Sequence, residues 1–241
     1  MLPIIKFARQ SVHKHGLKEF IARCYTYGFD RAQRYNALFD IKHNIKTKMI
    51  IPLDDLDFND PEVKQKANKY EPSSAFGLMN ALKALWRYAG NLDNLGFVDI
   101  GCGAGRAMFV AAEAGIKNIT GVEYSPKLVR MCQENIKNYL HKHKYADLNV
   151  IELDAAQYLP PHNISIFFFA VPFKPEIYNK VIENIITSVN KHPRTVYVLD
   201  YPWSKFDFSK KNFQLIFGKK AQDKNIFKQG INIYKLTPLA N

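Results

Sequence analysis

Cysteine is scarce in this chain, and long apolar runs are missing. Only Cys24, Cys102 and Cys132 occur in 241 residues; they are odd in number, widely spaced, and form no Cys-x-x-Cys. A disulfide framework is thereby not expected, and a reducing cytoplasm is the expected compartment. No run approaches the roughly 18–20 apolar residues of a membrane span. The start, Met1 to Lys6, has no extended apolar region and no small-residue cleavage site, so a secretory signal is not expected. Internal repeats and low-complexity linkers are lacking too. His13/His15 and His141/His143 are spaced i, i+2, which puts neither pair on one helical face; they are expected at the surface, and no metal site is predicted. No nucleophile-elbow serine or catalytic triad stands out.

Acids are outnumbered. The chain has 34 Lys and Arg against 22 Asp and Glu, a formal net charge of +12. The excess is uneven: residues 1–50 hold ten bases and three acids, residues 51–62 five acids and no base, and residues 201–235 eight lysines and two aspartates. Such a field attracts acidic partners, nucleic acid first among them, or simply keeps the surface soluble. With 47% hydrophobic and 13% aromatic residues, the chain can bury the core of one domain, or one domain with an appendage.

Two patterns follow one another. Apolar residues at helical spacing (Ile4, Ile5, Ala8, Val12; Phe20, Ile21, Cys24, Tyr27; Tyr35, Leu38, Phe39) predict basic amphipathic helices over residues 4–40, broken near Gly16 and Gly28. Their wide stripe favours a helical cap packed on a catalytic domain over a free binding arm. Residues 50–62 read as a short strand and an acidic loop. From about residue 72, helix and strand alternate. The expected helices run from Ser73 or Ser74 to Ala89, Arg106 to Ala114, about 126–142 and Glu176 to Asn190. The expected strands are 97–100, 119–123, 148–153, 164–169 and 195–199, with two more near 213–217 and 226–236. This order predicts a doubly wound α/β fold, its sheet mainly parallel, with ligands beyond the carboxyl ends of the strands. The expected division is a cap with acidic loop over residues 1–69 and a catalytic domain over 70–241.

The chemistry gathers at those strand ends. Gly101-Cys102-Gly103-Ala104-Gly105 allows a tight turn and close backbone approach. The dinucleotide fingerprint G-x-G-x-x-G would need glycine at 106, where Arg106 stands, and no Gly-Lys-Ser/Thr follows for a phosphate loop. Three acids fall in register: Asp99 before the glycines, Glu123 at the end of the second strand, 22 residues after Gly101, and Asp154 after the third. Asp99 suits a cationic amino group, Glu123 both hydroxyls of a ribose, and Asp154 an adenine amino group. Together they suit a ligand with an amino acid end, a ribose and an adenine, and no phosphate: S-adenosylmethionine. Cys102 reads as a small packing residue within this loop.

These residues resemble a known family. Val98-Asp99-Ile100-Gly101-Cys102-Gly103-Ala104-Gly105-Arg106 looks like motif I of the class I S-adenosylmethionine-dependent methyltransferases, Gly121–Pro126 like the motif that follows, and Leu153-Asp154-Ala155 like the adenine-binding motif. The resemblance spans about residues 70–236. It implies a seven-stranded Rossmann-like sheet with an antiparallel last strand. It also implies cofactor contacts at Asp99, Gly101, Cys102, Gly103, Gly105, Glu123, Tyr124, Asp154, Ala155 and Ala170. Tyr70-Glu71-Pro72-Ser73-Ser74 resembles the Tyr-x-Pro-Ser motif of a subset that includes many uncharacterised bacterial methyltransferases; that layout also has an Asp-Leu-Asp stretch upstream, as in Asp55-Leu56-Asp57. A looser similarity runs to seven-strand protein-lysine methyltransferases, such as those acting on ATP synthase c subunits. Tyr70 is read either as closing the cofactor site or as packing at a helix start.

After the fourth strand comes Ala170-Val171-Pro172-Phe173, which in this superfamily faces the transferred methyl. Amino-methylating nucleic-acid enzymes carry Asn or Asp before the proline; Val171 can accept nothing through its side chain. Ser73, Val171, Pro172, Phe173 and Tyr201 are therefore expected at the substrate mouth, joined by Asp200 and, less so, Trp203. The resemblance implies a methyltransferase whose acceptor is a protein lysine by preference, with RNA or a small molecule as alternatives. A non-catalytic S-adenosylmethionine-binding regulator is a third reading, and Arg106 argues against a dehydrogenase.

Overall fold

Five apolar segments, each bounded by turn residues, become the parallel strands of one sheet. The structure, a computed structural model, describes residues 31–58, 60–92, 94–143, 145–204, 206–218 and 230–238. It divides into two units, Met1–Phe39 and Asp40–Asn241. The first is helical over its described residues 31–39, where the rings of Tyr35 and Phe39, one turn apart, lie 6.0 Å from each other. The helices expected before residue 31, with Cys24, His13 and His15, lie outside the described residues.

In the second unit the elements are α1 (Pro61–Lys66), α2 (Ala75–Ala89), β1 (Gly96–Ile100), α3 (Arg106–Glu113), β2 (Asn118–Glu123), α4 (Pro126–Lys142), β3 (Asp147–Glu152), β4 (Ile164–Phe169), α5 (Pro175–Lys191), β5 (Val196–Asp200), β6 (Gln214–Phe217) and β7 (Asn232–Leu236). The sheet order is β3-β2-β1-β4-β5-β7-β6. β1 to β5 are parallel, and β7 inserts antiparallel between β5 and β6. The doubly wound, mainly parallel seven-stranded sheet is as expected. β1, β4 and β5 are buried at every position, which is why they read as unbroken apolar runs instead of alternating ones. The crossover direction changes between β1 and β4, so a crevice opens above their carboxyl ends.

Caps place the helices that border this crevice. Ser74 accepts the Gly77 N–H at the start of α2, and Ser125 accepts the Leu128 N–H at the start of α4, with Pro126 in the first turn. On the α5 side of the sheet, Phe167, Phe169, Tyr178, Val181 and Ile185 form the core.

Two expectations need revision. Residues 61–66 are helical, not loop: Asp60 accepts the Glu62 N–H and Pro61 occupies the first turn, an Asp-Pro start signal the acidic composition masked. His143 is half-buried, not on the surface. Its Nε2 lies 3.2 Å from His43 Nδ1 and its ring 4.5 Å from that of Tyr139. Burial first, then the neighbouring His43 and Lys42, lower its pKa. The first part of the expected last strand falls within residues 219–229, outside the described residues.

Candidate active site

A cavity of about 600 Å³ opens above the carboxyl ends of β1, β2 and β4. Its wall contains Tyr70, Asp99, Gly101, Cys102, Gly103, Glu123, Tyr124, Asp154, Ala155 and Ala170, together with Ser73, Val171, Pro172, Phe173 and Tyr201. Of the residues singled out from sequence, Gly105 does not line it. Gly105 is left-handed (φ +90) and caps α3, and a Cβ there would meet Cys132 Sγ at 2.7 Å.

The glycine loop is packed against protein on both sides. A Cβ on Gly101 (φ +74) would stand 2.3 Å from Pro172 Cβ. One on Gly103 (φ +55) would stand 2.2 Å from Tyr70 Cε2. These glycines therefore admit a proline from the loop after β4 and an aromatic ring from the segment before α2. The Tyr70 ring is buried, and its hydroxyl donates to the Thr47 carbonyl at 2.8 Å. Cys102 packs beneath the loop, as expected: a Cβ on Gly121 would meet both its Sγ and Met108 Sδ at 2.6 Å.

The loop amides are occupied. The N–H groups of Gly101 and Cys102 both donate to the Val122 carbonyl, that of Gly105 to the Cys102 carbonyl, and that of Gly103 to Glu123 Oε2. An anion cradle needs such groups turned toward the ligand. The acids tell the same story. Asp99 is 2% exposed and lines the cavity. Burial, then the charge of Glu123, push its pKa well above the usual carboxylate range. Glu123 accepts from the backbone of Gly103, Tyr124 and Ser125, at 2.9, 2.8 and 2.9 Å, yet burial still holds its carboxyl above its ordinary value. Two buried carboxylates with no free amide cradle disfavour a phosphate and favour a ligand that brings positive charge. S-adenosylmethionine, with its ammonium and sulfonium, fits that requirement.

The remaining acid has two jobs. Asp154 Oδ1 accepts the Ala156 N–H and caps a single turn, Ala155–Gln157, while the residue also lines the cavity. Beside it, the Tyr124 ring stacks on Phe58, centroids 6.0 Å apart. At the mouth, the Ser74 N–H donates to the Tyr201 hydroxyl oxygen at 3.2 Å, and burial raises that phenol to about 12. Asp200 does not join it. Its carboxyl turns below the sheet end to Tyr178 and Ser204, where burial lifts it to about 7. The side chain of Trp203 lies outside what the structure describes.

Three residues play parts that the sequence did not show. Arg106 was read only as a missing glycine; it is buried, its Nε donating to Thr47 Oγ1 at 2.7 Å and its guanidinium pairing with Asp40 at 2.9 Å. Asp57 accepts from Ser125 Oγ, the Lys127 N–H and Arg130, tying the acidic segment to the start of α4. Burial alone would raise its pKa, but these bonds hold it below the usual value. Asn68 donates through Nδ2 to the Val171 carbonyl at 2.8 Å, and its backbone N–H to that of Pro172 at 3.2 Å. The signals were faint: a lone arginine, one aspartate among five acids, and an asparagine in a basic stretch.

Comparison with known proteins agrees with this geometry. Residues 91–230, more than half of the chain, match the family described as "Methyltransferase domain". No curated protein matches the sequence. Among solved structures, similar ones include a Pyrococcus horikoshii protein named as a candidate RNA methyltransferase (19% identity, 77% of this chain and 93% of that one, TM-score 0.47). Another is the magnesium protoporphyrin IX methyltransferase of Synechocystis with bound S-adenosylmethionine (14% identity, 86% and 94%, TM-score 0.47). A third is a ribosomal protein L11 methylase of Lactobacillus delbrueckii subsp. bulgaricus (14% identity, 66% and 78%, TM-score 0.45). By the match over residues 91–230, with the seven-stranded fold and the acid-lined glycine loop beside it, the chain belongs to the methyltransferase-domain family and is a class I methyltransferase whose methyl donor is S-adenosylmethionine.

Proposed function

We propose that the protein methylates an amine, and specifically the side-chain amine of a protein lysine. One observation carries this reading: among the described residues the cavity wall holds no histidine, and Glu71, the carboxylate in the segment before α2, is tied to a lysine. On the side of the loop after β4 the wall is Ser73, Ser74, Val171, Pro172, Phe173 and Tyr201, and Tyr201 keeps its proton up to about 12. A hydroxyl acceptor gains much from a base in reach, whereas a lysine amine that has given up its proton to water before it enters attacks without one. Glu71 lines the cavity as well, and its carboxylate is paired with Lys69 at 2.9 Å.

In this reading S-adenosylmethionine supplies an activated methyl group, and the chain's own residues hold and align. Asp99 receives the amino end, Glu123 the ribose, Asp154 and Ala155 the adenine edge, and Tyr124 one adenine face. Gly101, Cys102 and Gly103 form the floor, Tyr70 closes it and Ala170 borders the reacting end, while Ser73, Val171, Pro172, Phe173 and Tyr201 border the acceptor. A cytoplasmic location suits the two buried free thiols, Cys102 and Cys132. No helix among the described residues is long and apolar enough to cross a membrane.

The formal charge of +12 favours RNA as a second reading, with the basic region before residue 50 as its contact. Tritium transfer from labelled S-adenosylmethionine into a cell lysate separates the cases. Label removed by protease and recovered as methyl-lysine supports the proposal. Label removed by RNase favours RNA, and label that resists both digestions a small molecule. Tight cofactor binding without transfer would leave a regulator.

A further inference from the structure

The loop after β4 has no polar side chain to receive an acceptor, and a residue from elsewhere in the chain stands beside it. We propose that Asn68 orients the acceptor amine, through its side-chain oxygen; this rests on the amine reading above.

Asn68 is fixed in place. The segment around it runs antiparallel to the loop: Ala67 bridges Phe173, the Lys174 N–H donates to the Lys66 carbonyl at 2.9 Å, and the Asn68 N–H donates to that of Pro172 at 3.2 Å. The Asn68 side chain then reaches the Val171 carbonyl at 2.8 Å. Val171 has φ +54, a conformation that a β-branched residue adopts only when its surroundings hold it there. The amide of Asn68 is part of that hold. The loop in turn rests on the cofactor floor, since Pro172 fills the space beside Gly101. Asn68, Asp99, Gly101 and Ala170 all line the same cavity.

The bond to Val171 determines which way the amide faces. A carbonyl only accepts, so the NH₂ group is the edge turned to Val171, and Oδ1 is the opposite edge. That oxygen has no protein partner within the described residues. It can take an N–H of an incoming amine and leave the nitrogen lone pair for the methyl. An uncharged amide suits this better than a carboxylate, which would hold the amine as an unreactive ammonium ion. Asparagine from another segment thus supplies what Val171 cannot.

Sinefungin tests this directly, because it carries an amine where S-adenosylmethionine carries its methyl. Calorimetric titration of the full chain with sinefungin and S-adenosylhomocysteine gives a ratio of affinities for wild type and Asn68→Ala. The wild type should prefer sinefungin. Asn68→Ala should lose about tenfold in sinefungin affinity and stay within about twofold for S-adenosylhomocysteine. Equal affinities in wild type, an unchanged ratio in Asn68→Ala, or equal losses of both ligands would overturn the proposal, the last because Asn68 would then only shape the pocket. The amine reading fails separately, if tritium is recovered on oxygen rather than nitrogen; the ligand ratio judges Asn68 either way.

Discussion

Substituting Gly103 by alanine perturbs stability by two separable routes. The first is conformational: φ is +55, and an L-residue in left-handed backbone costs roughly 1–2 kcal/mol. The second is steric. The new Cβ would lie 2.2 Å from Tyr70 Cε2 and 2.5 Å from Cδ2, against a normal contact of about 3.5–4 Å, so the ring must move by more than about 1 Å. Tyr70 is 8% exposed, packs with Leu56, Ala104 and Leu128, and bonds to the Thr47 carbonyl. Moving it forfeits that bond, roughly 0.5–1.5 kcal/mol, and part of its packing. The expected loss for Gly103→Ala is about 3–4 kcal/mol. In a Tyr70→Ala background, Gly103→Ala should cost only the conformational part, giving a coupling of about 2 kcal/mol in a double-mutant cycle. Urea unfolding at equilibrium, checked for two-state behaviour, measures all four proteins. Additivity within about 0.5 kcal/mol would refute the reasoning, since it would mean that the ring and the glycine do not meet.

Further outcomes can be stated now. Asp99→Asn should raise the stability of the free protein, by removing a carboxyl that is costly to bury whether ionised or protonated, and lower S-adenosylmethionine affinity by about tenfold or more, read by thermal shift and calorimetry; both moving the same way would contradict the role assigned to Asp99. Because a bound ammonium would pull the raised Asp99 pKa down, binding should release protons and strengthen as pH rises, visible as heats that change with buffer ionisation enthalpy. Asp200 gives a stability profile. Its carboxyl titrates at about 7 folded and near 4 unfolded, so the folded state holds an extra proton between those values. Its contribution is full below about pH 4 and is lost as pH rises through 7, by up to roughly 4 kcal/mol, and Asp200→Asn should flatten that slope in denaturant melts. Arg106→Lys should destabilise by roughly 3 kcal/mol despite keeping the charge, because an ammonium cannot make the two directed bonds to Thr47 and Asp40; a loss under about 1 kcal/mol would place the guanidinium elsewhere.

Much of the fold and site could be read directly from the sequence because both rest on local signals. The parallel sheet follows from apolar runs alternating with capped helices, and the strand-end acids from short spacings around one turn. What stayed hidden depends on partners far along the chain. Asn68 meets Val171, and Arg106 meets Asp40, through tertiary contacts that no period or turn residue announces. Asp200 shows a subtler limit. It adjoins Tyr201, and successive residues at a strand end face opposite sides, so both could not enter the same mouth. The alternation was present in the sequence; which of the two faced α2 was set by packing against Phe168 and the Ser74 amide.

The Asp40–Thr47–Arg106–Tyr70 network also determines where a working fragment can begin. Sequence likeness alone would suggest trimming to residues 91–230. That cut would strand the Arg106 guanidinium inside the protein without its carboxylate, and leave Gly103 facing an empty slot where an aromatic ring belongs. It would also remove Asn68 from the side of Val171. The most recognisable part of the chain is thus an incomplete unit, and the stretch from Asp40 to Ser74 builds as much of the candidate site's wall as the glycine loop itself.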